Sequence, residues 1–342
     1  MENKKLEADI VKMTKKARVA SRQMALISTT EKNKALRVMA RAIVAKADYL
    51  IKENKKDLKE AQTQDYSKAL VDRLVLNEKR IKGMATCLLD TAKIKDPVGE
   101  VLKKFKPPNG LLIEKVRVPI GVIGIIYESR PNVTSDCIGL CLKSGNAVIL
   151  KGGKEAFHSN KAIFSILQKA LKTTKIPVDA IQLVMVKDRQ AVNVLLKQYK
   201  NVDLIVPRGG EGLIRFVTEH SLIPVVKHDK GLCHTYVSDK ADLKMAGQIC
   251  FNAKVQRPGV CNAMETLLVH KKIAAKFLPE IIRSLQEAGV EVRGCRQTRK
   301  IVSKGVLLAT AQDWDEEYLE MILSIKVVDN MQEAVDHINI YG

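Results

Sequence analysis

The segment Ala-Val-Ile-Leu-Lys-Gly-Gly-Lys-Glu-Ala, residues 147–156, contains the change of pattern that decides the fold. It begins with a short apolar run typical of a buried strand, a pair of glycines follows, and a helical pattern extends over 155–171. The same order recurs downstream, with a strand-like run at 202–206, a second glycine pair and a helical pattern at 211–219. Short buried strands that alternate with such helices indicate a parallel, doubly wound α/β sheet.

The chain on either side of this segment divides into further units. Residues 1 to about 100 carry apolar side chains at three- and four-residue spacing, which predicts a helical layer, and 111–118 alternate as an extended strand. Beyond Gly231 the alternation of strands and helices begins again, and it continues to the end of the chain. We therefore predict two doubly wound parallel-sheet domains that meet near Gly231, with the active site between them.

Composition limits the classes of function. The chain has 342 residues and a net charge of +20, but its Lys and Arg alternate with acids, as in 52–61, and aromatic residues make up only 4%. This pattern is typical of solvated helix faces rather than of a nucleic-acid surface, although the positive field favours anionic ligands. No apolar run approaches a membrane span, and the charged start does not resemble a signal peptide, so we expect a cytoplasmic protein without nucleic-acid or membrane partners.

Seven cysteines without a Cys-x-x-Cys pair favour reduced thiols over a disulfide framework or a metal site. Cys137 and Cys141 are one helical turn apart in an apolar segment and are interpreted as core residues. Cys261 differs, because it follows a Pro-Gly turn and has the cations Lys254 and Arg257 nearby in sequence. Nearby positive charge stabilises a thiolate, so Cys261 is the candidate nucleophile.

Most of the other candidate site residues have two interpretations when the residues alone are considered. The turns Lys151-Gly152-Gly153 and Arg208-Gly209-Gly210 suit a phosphate at a helix N-terminus, but neither is the G-x-G-x-x-G fingerprint and plain loop geometry also explains them. Asn132 is either a helix N-cap or an amide donor to an oxyanion. Arg130 and Arg257 are either anion clamps or members of structural salt bridges. Glu317 by itself is a solvated acid.

Four segments, 127–133, 150–156, 207–210 and 256–263, resemble in their order and residues the gamma-glutamyl phosphate reductases of the aldehyde dehydrogenase superfamily. The resemblance covers nearly the whole chain. It implies an aldehyde dehydrogenase-like fold and NADPH-dependent reduction of L-glutamate 5-phosphate to L-glutamate 5-semialdehyde. Phosphate would leave, Cys261 would carry a thioester, and the reaction would belong to proline biosynthesis.

The resemblance also implies residue roles. Asn132 and the backbone N–H of Cys261 would form the oxyanion hole, and Glu317 would hold the nicotinamide ribose. Lys151 would lie along the adenosine ribose, where a cation suits the extra phosphate of NADPH. The helix after Gly209 and Gly210 would lie near the pyrophosphate.

The resemblance further predicts the domains and partners. Residues 1–102 and 119–230 would form the NADPH-binding domain, 103–118 an oligomerisation-type hairpin, and 231–342 the catalytic domain, which we expect to be C-terminally incomplete because the family runs on past Gly342. Hydrolytic aldehyde dehydrogenases keep a glutamate general base near 227–231, where this sequence has none. We expect a homo-oligomer in the full-length form and functional coupling to glutamate 5-kinase.

Three alternatives remain open from the sequence. A related oxidoreductase of the aldehyde dehydrogenase type would act on a different acyl phosphate or semialdehyde. A basic binding protein would associate with DNA and show no thiol reactivity. An inactive fragment would bind the cofactor without turnover.

Overall fold

A computed structural model describes residues 2–64, 66, 68–227 and 231–342. Its contacts divide the chain into two compact units, Met1–His228 and Asp229–Gly342. The segment that lacks the hydrolytic glutamate includes 228–230, which lie outside the described residues. Within the described residues, no helix combines the length and the apolar character needed to cross a membrane.

The first unit begins with helices whose ends and buried faces follow from sequence. Ser28 caps the second helix by accepting from the Glu31 N–H, and Leu36, Met39 and Ile43 repeat at helical spacing on its buried side. The helices of this layer are α1 (Glu2–Met24), α2 (Thr29–Ala45), α3 (Ala47–Gln62), α4 (Lys68–Leu74) and α5 (Glu78–Lys93).

A four-stranded parallel sheet forms the centre of the first unit. Its strands lie in the order β5-β4-β3-β6, and the two central strands are almost continuous apolar runs, as expected for a sheet covered on both faces. In chain order the elements are β3 (Val122–Tyr127), α6 (Asn132–Lys143), β4 (Ala147–Gly152), α7 (Phe157–Leu171), β5 (Ile181–Leu183), α8 (Gln190–Leu195), β6 (Leu204–Arg208) and α9 (Glu211–His220).

Register brings three strand ends to one edge of this sheet. Tyr127, the last residue of β3, pairs with Gly152 of β4 on one side and with Arg208 of β6 on the other. The loop that leads to Asn132 and both glycine-pair turns therefore leave the sheet at the same carboxyl edge. Ligands of doubly wound sheets bind outside this edge.

A two-stranded antiparallel hairpin precedes the sheet, formed by β1 (Val101–Phe105) and β2 (Ile113–Val116). All the residues of both strands are exposed. Strand β1 was not predicted from the pattern of residues, because neither of its faces is buried and its centre is a pair of lysines.

The second unit is a five-stranded parallel sheet in the order β10-β9-β11-β8-β7. Strand β8 is fully buried, and α11 covers it with an apolar face that includes Phe277, Ile281 and Leu285. Its elements are β7 (Cys233–Val237), α10 (Leu243–Val255), β8 (Met264–His270), α11 (Lys271–Glu287), β9 (Glu291–Gly294), α12 (Arg296–Ile301), β10 (Val306–Leu308), β11 (Ile322–Val328) and α13 (Met331–Tyr341).

Candidate active site

The loop between β3 and α6 is tied to both glycine-pair turns of the first unit. The Ser129 N–H donates to Oε1 of Glu155, which follows the first glycine pair, over 2.6 Å. The Gly210 N–H donates to Oε2 of Glu128 over 2.9 Å at the second pair. Ser129 adopts a left-handed conformation with φ of 54°, which is unfavourable for a residue with a Cβ. These bonds oppose that cost and hold the backbone that leads into Asn132.

Asn132 is the first residue of α6, and Pro131 occupies the N-cap position without a side-chain cap. The N-cap interpretation of Asn132 is therefore wrong. Its Nδ2 donates to Oδ2 of Asp136 over 2.8 Å, one helical turn further on. An amide nitrogen carries two hydrogens, so a second N–H is left to donate to a ligand. Asn132 is half-buried at the carboxyl edge of the sheet.

Asp136 is half-buried, in surroundings that disfavour its charge. Burial raises the pKa of its carboxyl, and hydrogen bonds from Asn132, Cys87 and Ser135 act in the opposite direction. Burial followed by the charge of Asp136 raises the pKa of Cys87 to about 11. Cys87 is therefore a protonated donor at neutral pH, not a nucleophile.

Lys151 supplies a buried cation at the end of β4. The residue is 5% exposed, and its Nζ donates to the Gly152 carbonyl over 2.9 Å. Burial lowers the pKa of this ammonium, while the carboxylates of Glu155 and Asp188 raise it. The ammonium of Lys151 donates to a neutral carbonyl, so its charge can still bind a phosphate. This turn therefore fits a phosphorylated ribose.

The second glycine-pair turn fits a phosphate less simply. The Gly210 N–H at the start of α9 already donates to Glu128, and that carboxylate occupies the position that an anion would take. A Cβ on Gly209 would collide with the carboxylate of Glu128 and would lie 2.8 Å from Cδ2 of Leu213, so the close approach of that carboxylate and of the helix accounts for this glycine. Arg208 is exposed at the end of β6.

Cys261 lies in the second unit, in the turn that joins α10 to β8. It is the exposed one of the seven cysteines, all of which lie within the described residues. Burial raises the pKa of Cys137 and of Cys250 to about 12 and also raises that of Cys141. Cys295 caps α12 by accepting from the Thr298 N–H. Exposure and the roles of the other thiols leave Cys261 as the candidate nucleophile.

Glu317 and Cys261 share surroundings within the second unit. The Cys233 thiol donates to the Cys261 carbonyl over 3.4 Å. Burial raises the pKa of Cys233, and the charges of Cys261, Glu265 and Glu317 add to this effect in that order. The carbonyl oxygen of Leu319, two residues after Glu317, lies 3.6 Å from the position of a Cβ built on Gly259, so the loop of Glu317 lies close to the turn of Cys261.

Lys254 does not lie free beside the thiol, and this sequence prediction is wrong. Its Nζ forms a buried ion pair with Oε2 of Glu265 over 2.7 Å. Arg257 is exposed in the same turn as Cys261 and remains the candidate cation there.

Comparison with known proteins places these features in a family. Residues 3–299 match the family model described as aldehyde dehydrogenase family. The gamma-glutamyl phosphate reductase of Geobacter metallireducens is 52% identical over 326 residues, which cover 95% of this chain and 78% of that protein. The chain belongs to the gamma-glutamyl phosphate reductases of the aldehyde dehydrogenase family.

Solved structures of gamma-glutamyl phosphate reductases confirm the predicted fold class. The structure from Thermotoga maritima superimposes with a TM-score of 0.94 at 46% identity and covers 97% of this chain and 80% of that chain. The structure from Saccharomyces cerevisiae, at 30% identity, has a TM-score of 0.60 and covers 97% and 83% of the two chains.

The predicted site residues of the chain fall into two groups, one in each unit. At the carboxyl edge of the first sheet lie Arg130, Asn132, Lys151, Gly152, Gly153, Arg208, Gly209 and Gly210. Near the turn between α10 and β8 lie Arg257, Cys261 and Glu317.

Four carboxylates that hold the segments around these groups were not predicted from the sequence: Glu128, Asp136, Glu155 and Glu265. Asp136 could have been found, because it is four residues after Asn132 in a helical segment. The partners of Glu128, Glu155 and Glu265 are 82, 26 and 54 residues away, at Gly210, Ser129 and Leu319, so no local pattern indicates them.

Proposed function

We propose that the protein catalyses the NADPH-dependent reduction of L-glutamate 5-phosphate to L-glutamate 5-semialdehyde with release of phosphate. One observation carries this proposal. The exposed Cys261 lies in a turn of a chain that is about half identical, over nearly its full length, to gamma-glutamyl phosphate reductases. The other six cysteines are half-buried or buried.

Cys261 attacks the acyl carbon of the substrate as a thiolate. A carbon–sulfur bond forms, the bond from carbon to the phosphate oxygen breaks, and inorganic phosphate departs with the electron pair. On the family resemblance, we assign the stabilisation of the intermediate oxyanion to the second Nδ2 hydrogen of Asn132 and the backbone N–H of Cys261. A single such donor contributes roughly 10² to 10³ in rate.

The residues that would hold the cofactor are Lys151 with Gly152 and Gly153, Arg208 with Gly209 and Gly210, and Glu317. The cation of Lys151 supports NADPH over NADH, because only NADPH carries the additional ribose phosphate. When bound, the cofactor supplies a hydride to the thioester carbon. The carbon–sulfur bond then breaks, the thiolate of Cys261 is regenerated, and the semialdehyde leaves.

Two exposed arginines are the proposed substrate clamps. Guanidinium groups bind a phosphate or a carboxylate through two parallel hydrogen bonds, and both Arg130 and Arg257 are accessible to solvent. The net charge of +20 attracts a substrate that carries a carboxylate and an acyl phosphate.

The biological setting follows from the proposed reaction. The product cyclises to pyrroline-5-carboxylate in proline biosynthesis, and glutamate 5-kinase supplies the substrate. We propose that the first unit is the NADPH-binding domain and that the second unit is the catalytic domain. Residues 103–118 would form the oligomerisation hairpin of a homo-oligomer, and the protein would act in the cytoplasm.

No water-activating glutamate is needed, because hydride and not water removes the thioester.

The experiment runs the reaction in reverse, with NADP, phosphate and the open form of the semialdehyde. Wild type should reduce NADP only when phosphate is present, Cys261→Ala should lose at least about 10³-fold in rate, and Cys295→Ser should stay active because serine also caps a helix. Turnover that survives in Cys261→Ala would overturn the assignment of the nucleophile. Turnover without phosphate would identify a different reaction of the aldehyde dehydrogenase type.

A further inference from the structure

A buried ion pair brackets the turn that carries Cys261. Lys254 is the second-to-last residue of α10 and Glu265 is the second residue of β8, so the turn 256–263 leaves from one partner and returns to the other. The side chains are 0% and 2% exposed, and Nζ lies 2.7 Å from Oε2.

Stability alone gives little reason for this pair. Removing two charges from water carries a desolvation penalty that their attraction often fails to offset, and apolar pairs of equal volume are frequently as stable. Burial lowers the pKa of Lys254 and raises that of Glu265, in the directions expected when burial disfavours both charges.

The second oxygen of Glu265 holds a different segment. Oε1 accepts a hydrogen bond from the Leu319 N–H over 3.1 Å, in the loop that precedes β11. Leu319 has a φ of 53°, a left-handed conformation that is unfavourable for a residue with a Cβ, so the surrounding contacts must impose it.

Leu319 also contacts the nucleophile turn. Its carbonyl oxygen lies 3.6 Å from the position of a Cβ built on Gly259, two residues before Cys261. Leu319 itself follows Glu317 by two residues. One carboxylate thus connects the base of the nucleophile turn to the loop that carries Glu317.

We infer that Glu265 is a positioning residue, which holds the Glu317 loop against the Cys261 turn through the Leu319 amide. The inference rests on the proposed function, in which Glu317 binds the nicotinamide ribose and Cys261 carries the acyl group. Glu265 touches neither substrate nor cofactor. It keeps Glu317 where that side chain would bind the ribose of the cofactor, and Lys254 neutralises the charge of Glu265.

Two double variants separate this role from folding. Lys254→Met with Glu265→Gln removes both charges but keeps an oxygen that accepts from Leu319, whereas Lys254→Met with Glu265→Leu also removes that acceptor. We expect similar thermal midpoints for the two. Amide hydrogen exchange in 315–321 should be at least about 10-fold faster in the leucine variant.

Kinetics supply the readout that a structural role would not move. In the leucine variant KM for NADP should rise about 10-fold while kcat changes less than about 3-fold, and the glutamine variant should stay near wild type. Equal exchange in both variants, or equal KM values, would overturn the inference.

The wild-type protein provides a test that needs no variant. The Leu319 amide lies in an irregular loop, yet the bond to Glu265 should slow its exchange at least about 100-fold relative to a free peptide. Free exchange at Leu319 would overturn the inference even if neither double variant folds. Exchange also separates the two proposals, because a wild type with a protected Leu319 but no NADP reduction would contradict only the proposed function.

Discussion

Nδ2 of Asn132 donates a hydrogen bond to Oδ2 of Asp136 over 2.8 Å within the first two turns of α6. This hydrogen bond fixes the orientation of the Asn132 amide and therefore the direction in which its second N–H points. Because Asp136 itself accepts from Ser135 and Cys87, the amide rests on a carboxylate that is held from three sides.

Asp136→Ala should lower kcat about 10-fold, because an amide that is free to rotate loses its alignment with the oxyanion. Asp136→Asn should retain most of the rate, since an amide oxygen can still accept from Asn132. Steady-state kinetics in the phosphate-dependent assay measure both, and thermal unfolding serves as the check on folding. A wild-type kcat in Asp136→Ala would mean that Asn132 needs no such support.

Glu128→Gln should strengthen NADPH binding about 3- to 10-fold. The carboxylate of Glu128 accepts a hydrogen bond from the Gly210 N–H at the start of α9. The neutral amide of the glutamine variant would compete less with a pyrophosphate for that donor. Fluorescence titration with NADPH measures the dissociation constant. Glu219→Gln, at the far end of the same helix, changes the net charge equally and should have no such effect. Weaker binding in Glu128→Gln would show that Glu128 supports the site.

Lys151→Met should raise KM for NADPH about 10-fold and leave KM for NADH almost unchanged, because only NADPH carries the extra ribose phosphate that the cation would bind. The substitution should be tolerated, since it removes a buried charge and keeps the length of the side chain. Kinetics with both cofactors on one preparation provide the control. Equal losses with NADPH and NADH would contradict a role at the extra phosphate.

Acid should destabilise the second unit through His337. This residue is 4% exposed, and its Nε2 has no hydrogen-bond partner among the described residues. Burial, followed by the charges of Lys326 and His234, lowers the pKa of His337 to about 4 from the ordinary 6.5. The unfolded chain therefore takes up a proton below pH 6.5 that the folded state refuses until about pH 4. The free energy of unfolding therefore has its full value above pH 6.5 and decreases by roughly 3 kcal/mol as the pH falls to 4.

Urea unfolding at pH 7 and at pH 5 measures this loss. His337→Phe should reduce the difference between the two values, because phenylalanine can pack against Trp314 and Tyr341 as the imidazole does and cannot be protonated. An unchanged dependence on pH in His337→Phe would mean that other groups, such as the half-buried His234, cause the loss.

The alternation of strands and helices could be predicted because burial leaves a direct trace in the residues. Strand β4 and helix α7 lie where an apolar run and a helical pattern predicted them. Strand β6 was predicted at 202–206 but spans Leu204–Arg208, since its pairing with β3, and not its own hydrophobicity, decides where it ends. Strand β1 has no buried face and left no trace in the pattern.

The charged neighbours of the site could not be predicted in this way. Lys254 was interpreted as a cation beside Cys261, because the two are close in sequence, but its ammonium points to Glu265 in the core. The direction in which such a side chain points decides its partner more than its distance along the sequence does. That direction depends on how the helix packs on its sheet.

The sequence by itself determined the α/β class, the two glycine-pair turns and the choice of Cys261, because periodicity and local residue chemistry act over a few residues. Only the tertiary structure decided that Tyr127, Gly152 and Arg208 end their strands side by side, and that Glu128, Glu155 and Glu265 hold the segments around them. The physical reason is the range of the interaction. Strand pairing and the hydrogen bonds that Glu128, Glu155 and Glu265 accept from backbone N–H groups join residues that are tens of positions apart. The free energy that selects these partners comes from packing the whole unit.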